Sequence, residues 1–233
     1  MLKVVSFKVC PFVQRVTALL EAKNLPYEIE YIDLKNKPQW FLDISPNGQV
    51  PVLITENNMA LFESDAIFEF LEEAYPALQP KLAFEQKAQD RAWSYLASKH
   101  YLVQCSTMRS PDQATLAERE EKLTKAFAKA EKQLGKGPYF NGELISTVDL
   151  AWLPLLHRAS IIENHTCHDF LAEYPKVKQW QQTLAKTGLF ESSVSEDFEQ
   201  KFINFYLSDQ THLGQISDCK FETSNTCSNT SCC

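Results

Sequence analysis

Six glycines and 11 prolines in 233 residues are too few for a collagen, a flexible linker or a Gly-rich all-β repeat. No apolar run approaches the ~18–20 residues that a membrane-spanning helix needs. The opening Met1-Leu2-Lys3-Val4-Val5-Ser6-Phe7-Lys8 is too short and too polar for the apolar centre of a secretory signal. Positive charge is in deficit, with 23 Lys+Arg against 30 Asp+Glu and a net charge of −7. A dedicated nucleic-acid binder needs a basic patch to offset phosphate repulsion, so that class is set aside. The 7 cysteines are odd in number; Cys10, Cys105 and Cys167 are scattered and the other four crowd the last stretch. That is no disulfide framework. The expectation is a soluble cytoplasmic chain with no membrane and no nucleic-acid partner. What the chain does have is material for a core, with 44% hydrophobic and 12% aromatic residues. At about 100–200 residues per domain its length fits one large domain or two small ones.

The first 76 residues alternate between two periodicities. Lys3–Phe7 is short, β-branched and apolar, whereas Pro11–Lys23 sets Phe12, Val16, Leu19 and Leu20 at helical spacing. Tyr27–Ile32 alternates aromatic or aliphatic residues with Glu28 and Glu30, the pattern of a half-buried strand. A short helix or turn is expected over 38–44. Residues 50–54 and 59–62 flank Asn57-Asn58 as a hairpin, and Ser64–Ala74 is helical again. A βαβ unit followed by ββα makes a small α/β domain with a mixed sheet over 1–76. Tyr75-Pro76 and Gln79-Pro80 punctuate the chain, which places a linker at 77–81. An all-helical domain is expected over 82–212, with helices at roughly 82–109, 112–134, 147–162, 175–186 and 192–207. Ser146-Thr147-Val148-Asp149 reads as a capping box whose role is folding. Residues 213–233 turn to Ser, Thr, Asn and Cys and are expected to be a disordered tail.

Chemistry concentrates at Cys10. It stands between a strand and a helix, and Pro11 occupies the first helical position, where its missing N–H costs nothing. The remaining free N–H groups and the helix dipole face the sulfur and favour thiolate, the nucleophilic form. On this argument the Cys10 pKa is expected below the ~8.5 of a free thiol.

Cys10-Pro11-Phe12-Val13 resembles the glutaredoxin Cys-Pro-Phe/Tyr-Cys motif with Val13 in place of the second cysteine. Longer blocks carry the resemblance further: Cys10-Pro11-Phe12-Val13-Gln14-Arg15, Leu34–Phe41, Pro46-Asn47-Gly48-Gln49-Val50-Pro51-Val52-Leu53 and Glu63-Ser64-Asp65-Ala66-Ile67. Together they resemble the cysteine-type glutathione transferases, Omega-like, with dehydroascorbate reductases as more distant kin. The resemblance implies a thioredoxin-like domain followed by an all-α domain, the glutathione transferase fold. It implies Cys10 as the catalytic thiol, with glutathione as co-substrate and no metal. Phe12 would pack beside the thiol. A cis Val50–Pro51 bond would turn the Val50 backbone toward the cysteinyl part of glutathione. Glu63 would take the γ-glutamyl ammonium and Ser64 its carboxylate, Ser64 doubling as the N-cap of the next helix. Lys37 would face the glycyl carboxylate. The second substrate would be a small electrophile or disulfide, and the assembly a homodimer. With Val13 where a resolving cysteine would stand, thiol transfer follows a monothiol route.

A rival reading keeps the scaffold and drops the chemistry: a binding protein of the RNA polymerase-associated or chloride-intracellular-channel type. An intact Glu63-Ser64 pair and Lys37 argue for the enzyme, since a scaffold without ligand has no need of them. His165-Thr166-Cys167-His168 lacks the paired spacing of structural zinc motifs. Trp93, Trp152 and Trp180 read as core. The lining of the second-substrate pocket is not legible; Tyr101, Met108 and Trp152 are candidates without an assignment.

Overall fold

The computed structural model describes residues 1–79 and 82–216. Four strands, β1 (Leu2–Ser6), β2 (Tyr27–Tyr31), β3 (Val52–Ile54) and β4 (Ala60–Phe62), form one sheet in the order β2-β1-β3-β4. The pair β1/β2 is parallel, with Val4 opposite Ile29, and is joined through helix α1 (Pro11–Ala22) as a βαβ unit. β3 runs antiparallel to β1 and β4 antiparallel to β3. The β3–β4 turn passes through Asn58 at φ 59°, the left-handed conformation that Asn tolerates better than most residues. Helices α2 (Gln39–Ile44) and α3 (Ser64–Ala74) complete the first unit. This is the mixed α/β arrangement the alternating periodicity anticipates. One detail differs: β2 is an edge strand whose Ile29 and Tyr31 are both exposed, so its alternation reflects β-propensity more than burial.

The second unit is helical: α4 (Phe84–Met108), α5 (Gln113–Gln133), α6 (Thr147–His165), α7 (Pro175–Ala185), α8 (Leu189–Ser192), α9 (Phe198–Tyr206) and α10 (His212–Gln215). Two sequence expectations need correction here. The helix expected over 192–207 is broken between α8 and α9. The Ser195 hydroxyl bonds the Asp197 carboxylate, while the Ser193 carbonyl and hydroxyl turn to Thr17 and Gln14 of α1. Short polar side chains of this kind offer the backbone an alternative to the helix. The expected tail also begins too early. Leu213 is buried within α10, and the Thr211 side chain caps that turn by accepting from the Gly214 N–H. The rest of the expected tail, 217–233, and residues 80–81 of the linker lie outside the described residues.

The two units share one continuous core. α1 is buried along most of its length, and α6 packs against it with Trp152, Leu153 and Leu156 fully buried. An aromatic chain runs from Trp93 through Phe140 and Trp180 to Trp152, at centroid separations of 5.0, 5.5 and 5.8 Å. Trp152 and Trp180 are buried core, as expected, and Trp93 packs partly buried against it. The capping box is formed: Ser146 Oγ accepts from the Asp149 N–H and the Asp149 carboxylate accepts from the Ser146 N–H. Asp149 does more than cap, since it also accepts from the Phe140 N–H (2.9 Å) and from Trp180 Nε1 (2.6 Å). Pro154 sits inside α6 and removes one ladder N–H. Side-chain donors from neighbouring helices reach carbonyls around it: Tyr101 to Ala151, Gln104 to Leu155 and Gln181 to Leu156.

Candidate active site

Cys10 is the residue before α1, in extended conformation (φ −77°, ψ 122°), with Pro11 first in the helix. The N–H groups of Phe12 and Val13 reach the sulfur, as a helix start dictates, and the Arg158 charge adds to them. All three lower the thiol pKa. Burial acts the other way and outweighs them, pushing the Cys10 thiol up to about 11. The expectation of a pKa below that of a free thiol therefore fails here. The helix start gives the donors their direction, but it says nothing about how much water the second unit removes.

Cys10 walls two cavities. The first, of 320 Å³, is lined by Cys10, Phe12, Lys37, Val50, Glu63 and Ser64. Those are all the residues the sequence nominated, brought together from the β1–α1 loop, α1, the loops before α2, β3 and α3, and the start of α3. Each has a local cause for its position. Phe12 is held edge-on to Tyr101 at 5.1 Å. Val50 precedes β3, and its bond to Pro51 is cis. Glu63 links β4 to α3 at φ 66°, a conformation that costs a non-glycine residue of order 1–3 kcal/mol and clusters at ligand clamps. Asn47 Nδ2 donates to Glu63 Oε1 at 2.8 Å and orients the carboxylate. Lys37 makes no ion pair among the described residues, and its Nζ lies beside Gly48, whose φ of +56° favours glycine. Ser45 braces this loop: its hydroxyl donates to the Gln49 carbonyl and accepts from the Gln49 N–H. Ser64 is buried but is the first residue of α3 rather than its N-cap. Glu63 takes that place, with its carbonyl accepting from the Ile67 N–H. The capping role expected for Ser64 is therefore absent, and its backbone N–H is among those left open by a helix start.

The second cavity, of 590 Å³, lies on the other side of the thiol between the start of α1 and helices α4, α5 and α9. Its walls include Phe7, Leu102, Cys105, Phe205 and Tyr206. None of the three unassigned candidates lines it; Met108 and Trp152 are fully buried core, and Tyr101 packs on Phe12. Sequence reasoning also missed Arg158. This fully buried arginine of α6 donates from Nη2 to the Val9 carbonyl (3.1 Å), next to Cys10, and from Nη1 to the Pro154 carbonyl and Gln14 Oε1. Gln14 in turn donates to His157 Nδ1 at 2.7 Å, so the imidazole proton is on Nε2. Stacked on Phe190 and Phe198, His157 is pushed down to about 3 by burial and by the Arg158 charge, and is neutral. No local signal marks this network, because helical spacing does not tell a buried arginine from an exposed one. His165 and His168 pair with Glu199 and Glu120.

A thiol at a helix start, a cis proline opposite it and a helical second unit closing over both define the class. Residues 9–74 match the family model Glutathione S-transferase, N-terminal domain, and residues 113–181 match Glutathione S-transferase, C-terminal domain. The chain belongs to the glutathione S-transferase family. Within it, the chain is 34% identical to glutathione S-transferase omega-1 of Sus scrofa over 190 residues, covering 80% of this chain and 77% of that one. It is 35% identical to glutathione S-transferase DHAR2 of Arabidopsis thaliana over 158 residues, covering 67% and 70%. Among solved structures, glutathione transferase Omega 3C from Trametes versicolor superposes with a TM-score of 0.72 at 26% identity, covering 84% of this chain and 89% of that one.

Proposed function

We propose that the chain is a glutathione-dependent thioltransferase and reductase with Cys10 as nucleophile. The observation that carries this reading is the placement of Cys10 on a wall common to two cavities, one carrying Lys37, Glu63 and Ser64 and the other Arg109 and Arg119. In the first, glutathione would lie with its γ-glutamyl ammonium on Glu63 and its carboxylate on the Ser64 N–H. The glycyl carboxylate would face Lys37, and the Val50 backbone would pair with the cysteinyl residue as an added strand does. Phe12 would flank the sulfur. The Cys10 thiolate attacks the glutathionyl sulfur of a mixed disulfide, forming Cys10–S–SG and releasing the substrate thiolate. A second glutathione thiolate attacks that bond, leaving as glutathione disulfide and restoring Cys10. The neutral alternative, a scaffold protein without chemistry, has no support in the relatives. No helix among the described residues is long and apolar enough to cross a membrane. Reduced glutathione as co-substrate agrees with a cytoplasmic setting.

A panel comparing thiol transfer, dehydroascorbate reduction and aryl-halide conjugation tests the reading. The first two are expected to dominate, because a cysteine at this position traps glutathione as a disulfide where a hydroxyl would free its thiolate. Conjugation as the leading activity would overturn the proposal. In the same assay Glu63→Ala is expected to raise the KM for glutathione by about tenfold, the worth of one charge-assisted contact. A purely structural Glu63 would instead lower the melting temperature and leave that KM alone.

The homodimer expected from the resemblance also belongs to this proposal. Phe84, at the start of α4, is 88% exposed, and the Arg91 guanidinium nearby pairs with Glu69 and Glu73 of α3 to make a polar rim. Light scattering is expected to report roughly twice the mass of one chain, the two-fold pair being the commonest closed assembly. A fully active monomer would remove the dimer and leave the Cys10 chemistry standing.

A further inference from the structure

The 590 Å³ cavity has an uneven chemical lining. Its walls are apolar, and two of the large hydrophobic side chains most exposed in the second unit, Leu102 (66%) and Phe205 (45%), are among them. At one side stand Arg109 and Arg119, and no carboxylate lines the cavity. Elsewhere in this acidic chain several lysines and arginines are neutralised by carboxylates: Lys8 by Asp197, Lys23 by Glu72, Arg91 by Glu69, Lys178 by Glu163. Arg109 and Arg119 have no ion pair among the described residues. Arg109 lies over the Phe205 ring, its Cζ 5.4 Å from the centroid, and Arg119 donates from Nη1 to the Ser106 carbonyl at 3.0 Å. Both guanidinium groups are thus held at the cavity with most of their donors unspent. A pocket with apolar walls and two arranged cations orients a ligand that is flat and apolar at one end and anionic at the other.

We propose that the second cavity selects anionic substrates: an aromatic or similarly planar disulfide whose carboxylate or sulfonate is held by Arg109 and Arg119 while its sulfur meets Cys10. This rests on the thioltransferase reading and adds the substrate class to it. The step balances with glutathione alone. The Cys10 thiolate attacks one sulfur of the aryl disulfide, the S–S bond breaks and one aryl thiolate leaves. Glutathione displaces the second aryl thiolate, forming Cys10–S–SG, and another glutathione restores Cys10. In sum, one disulfide and two glutathiones give two aryl thiols and glutathione disulfide.

The experiment compares bis(carboxyphenyl) disulfide with its neutral bis(carboxamide), which share shape and differ in charge, at saturating glutathione, each kcat/KM being divided by the uncatalysed glutathione rate of the same disulfide so that the difference in leaving-group reactivity cancels. The expected kcat/KM ratio favours the dicarboxylate by about tenfold, the scale of a charge-assisted contact. In the Arg109→Gln/Arg119→Gln double variant that ratio is expected to fall toward one, and in Arg109→Lys/Arg119→Lys to recover in part. Salt at about 1 M should compress it as well, because exposed charges are screened. A ratio near one in the unaltered protein, or a ratio the double glutamine variant leaves intact, overturns the inference while the thioltransferase reading stands. If neither disulfide turns over above the solution rate, the thioltransferase reading itself falls and the inference with it.

Discussion

Replacing Cys10 by alanine is expected to abolish thiol transfer and dehydroascorbate reduction, lowering kcat/KM by at least about a thousandfold, as removal of a covalent nucleophile does. Glutathione should still bind, because Glu63, Ser64, Lys37 and Val50 are untouched and line the cavity from other elements. A variant that retained most of its activity would end the cysteine mechanism. The pH dependence follows from the competition at the sulfur. Burial holds the thiol pKa above its ordinary value, against the Phe12 and Val13 N–H groups and Arg158. A raised pKa keeps the group protonated at neutral pH and releases the nucleophile only as pH rises. Iodoacetamide labelling of Cys10 in the substrate-free protein should therefore keep accelerating above about pH 8.5, where a free thiol begins to level. Arg158→Gln should move the curve further up, since it deletes one of the forces that stabilise thiolate. A plateau below about 8.5 would mean that the helix start outweighs burial after all.

Asp149→Ala is expected to cost about 3–5 kcal/mol of stability, read as a lower urea midpoint at unchanged slope. The magnitude comes from counting what one carboxylate satisfies. It takes the Ser146 N–H and hydroxyl, the Phe140 N–H and the Trp180 indole N–H, all in a buried setting. A lost cap alone costs about 1 kcal/mol, and each buried donor left without an acceptor adds about 1–3. Water entering the space would recover some of this, which keeps the expected loss well below the sum. Asp149→Asn, which retains one acceptor oxygen, should cost less. A loss under about 1 kcal/mol for the alanine variant would reduce Asp149 to an ordinary cap.

The first cavity was legible through the resemblance, because its residues belong to contiguous blocks similar to those of the cysteine-type glutathione transferases. Cys10-Pro11 announces a helix start, Val50-Pro51 a bend before a strand and Glu63-Ser64 the entry to α3. Within those blocks the neighbours that arrange the ligand groups went unnamed, above all Asn47, which orients Glu63, and Ser45, which braces the loop holding Gly48. A polar residue in a loop has no periodicity to betray its partner. The second cavity was not legible at all. Its lining comes from residues 7 to 206, and Phe205 and Arg109 become neighbours only when α9 folds back on the end of α4.

The residues around the first cavity were implied by the resemblance of whole blocks to a known family, whereas sequence by itself determined the order of strands and helices, the position of the thiol at a helix start and the internal cap of α6. These are local properties: apolar periodicity, proline geometry and capping act within a turn or two, so neighbours in the chain suffice to express them. Only the tertiary structure decided the pKa direction of Cys10, the break between α8 and α9, the neutral His157 and the place of Arg158 behind the thiol. Desolvation and charge at a point are sums over everything packed around it, and here that includes Leu102 and Cys105 of α4, Arg158 of α6 and Tyr206 of α9, all far along the chain from Cys10.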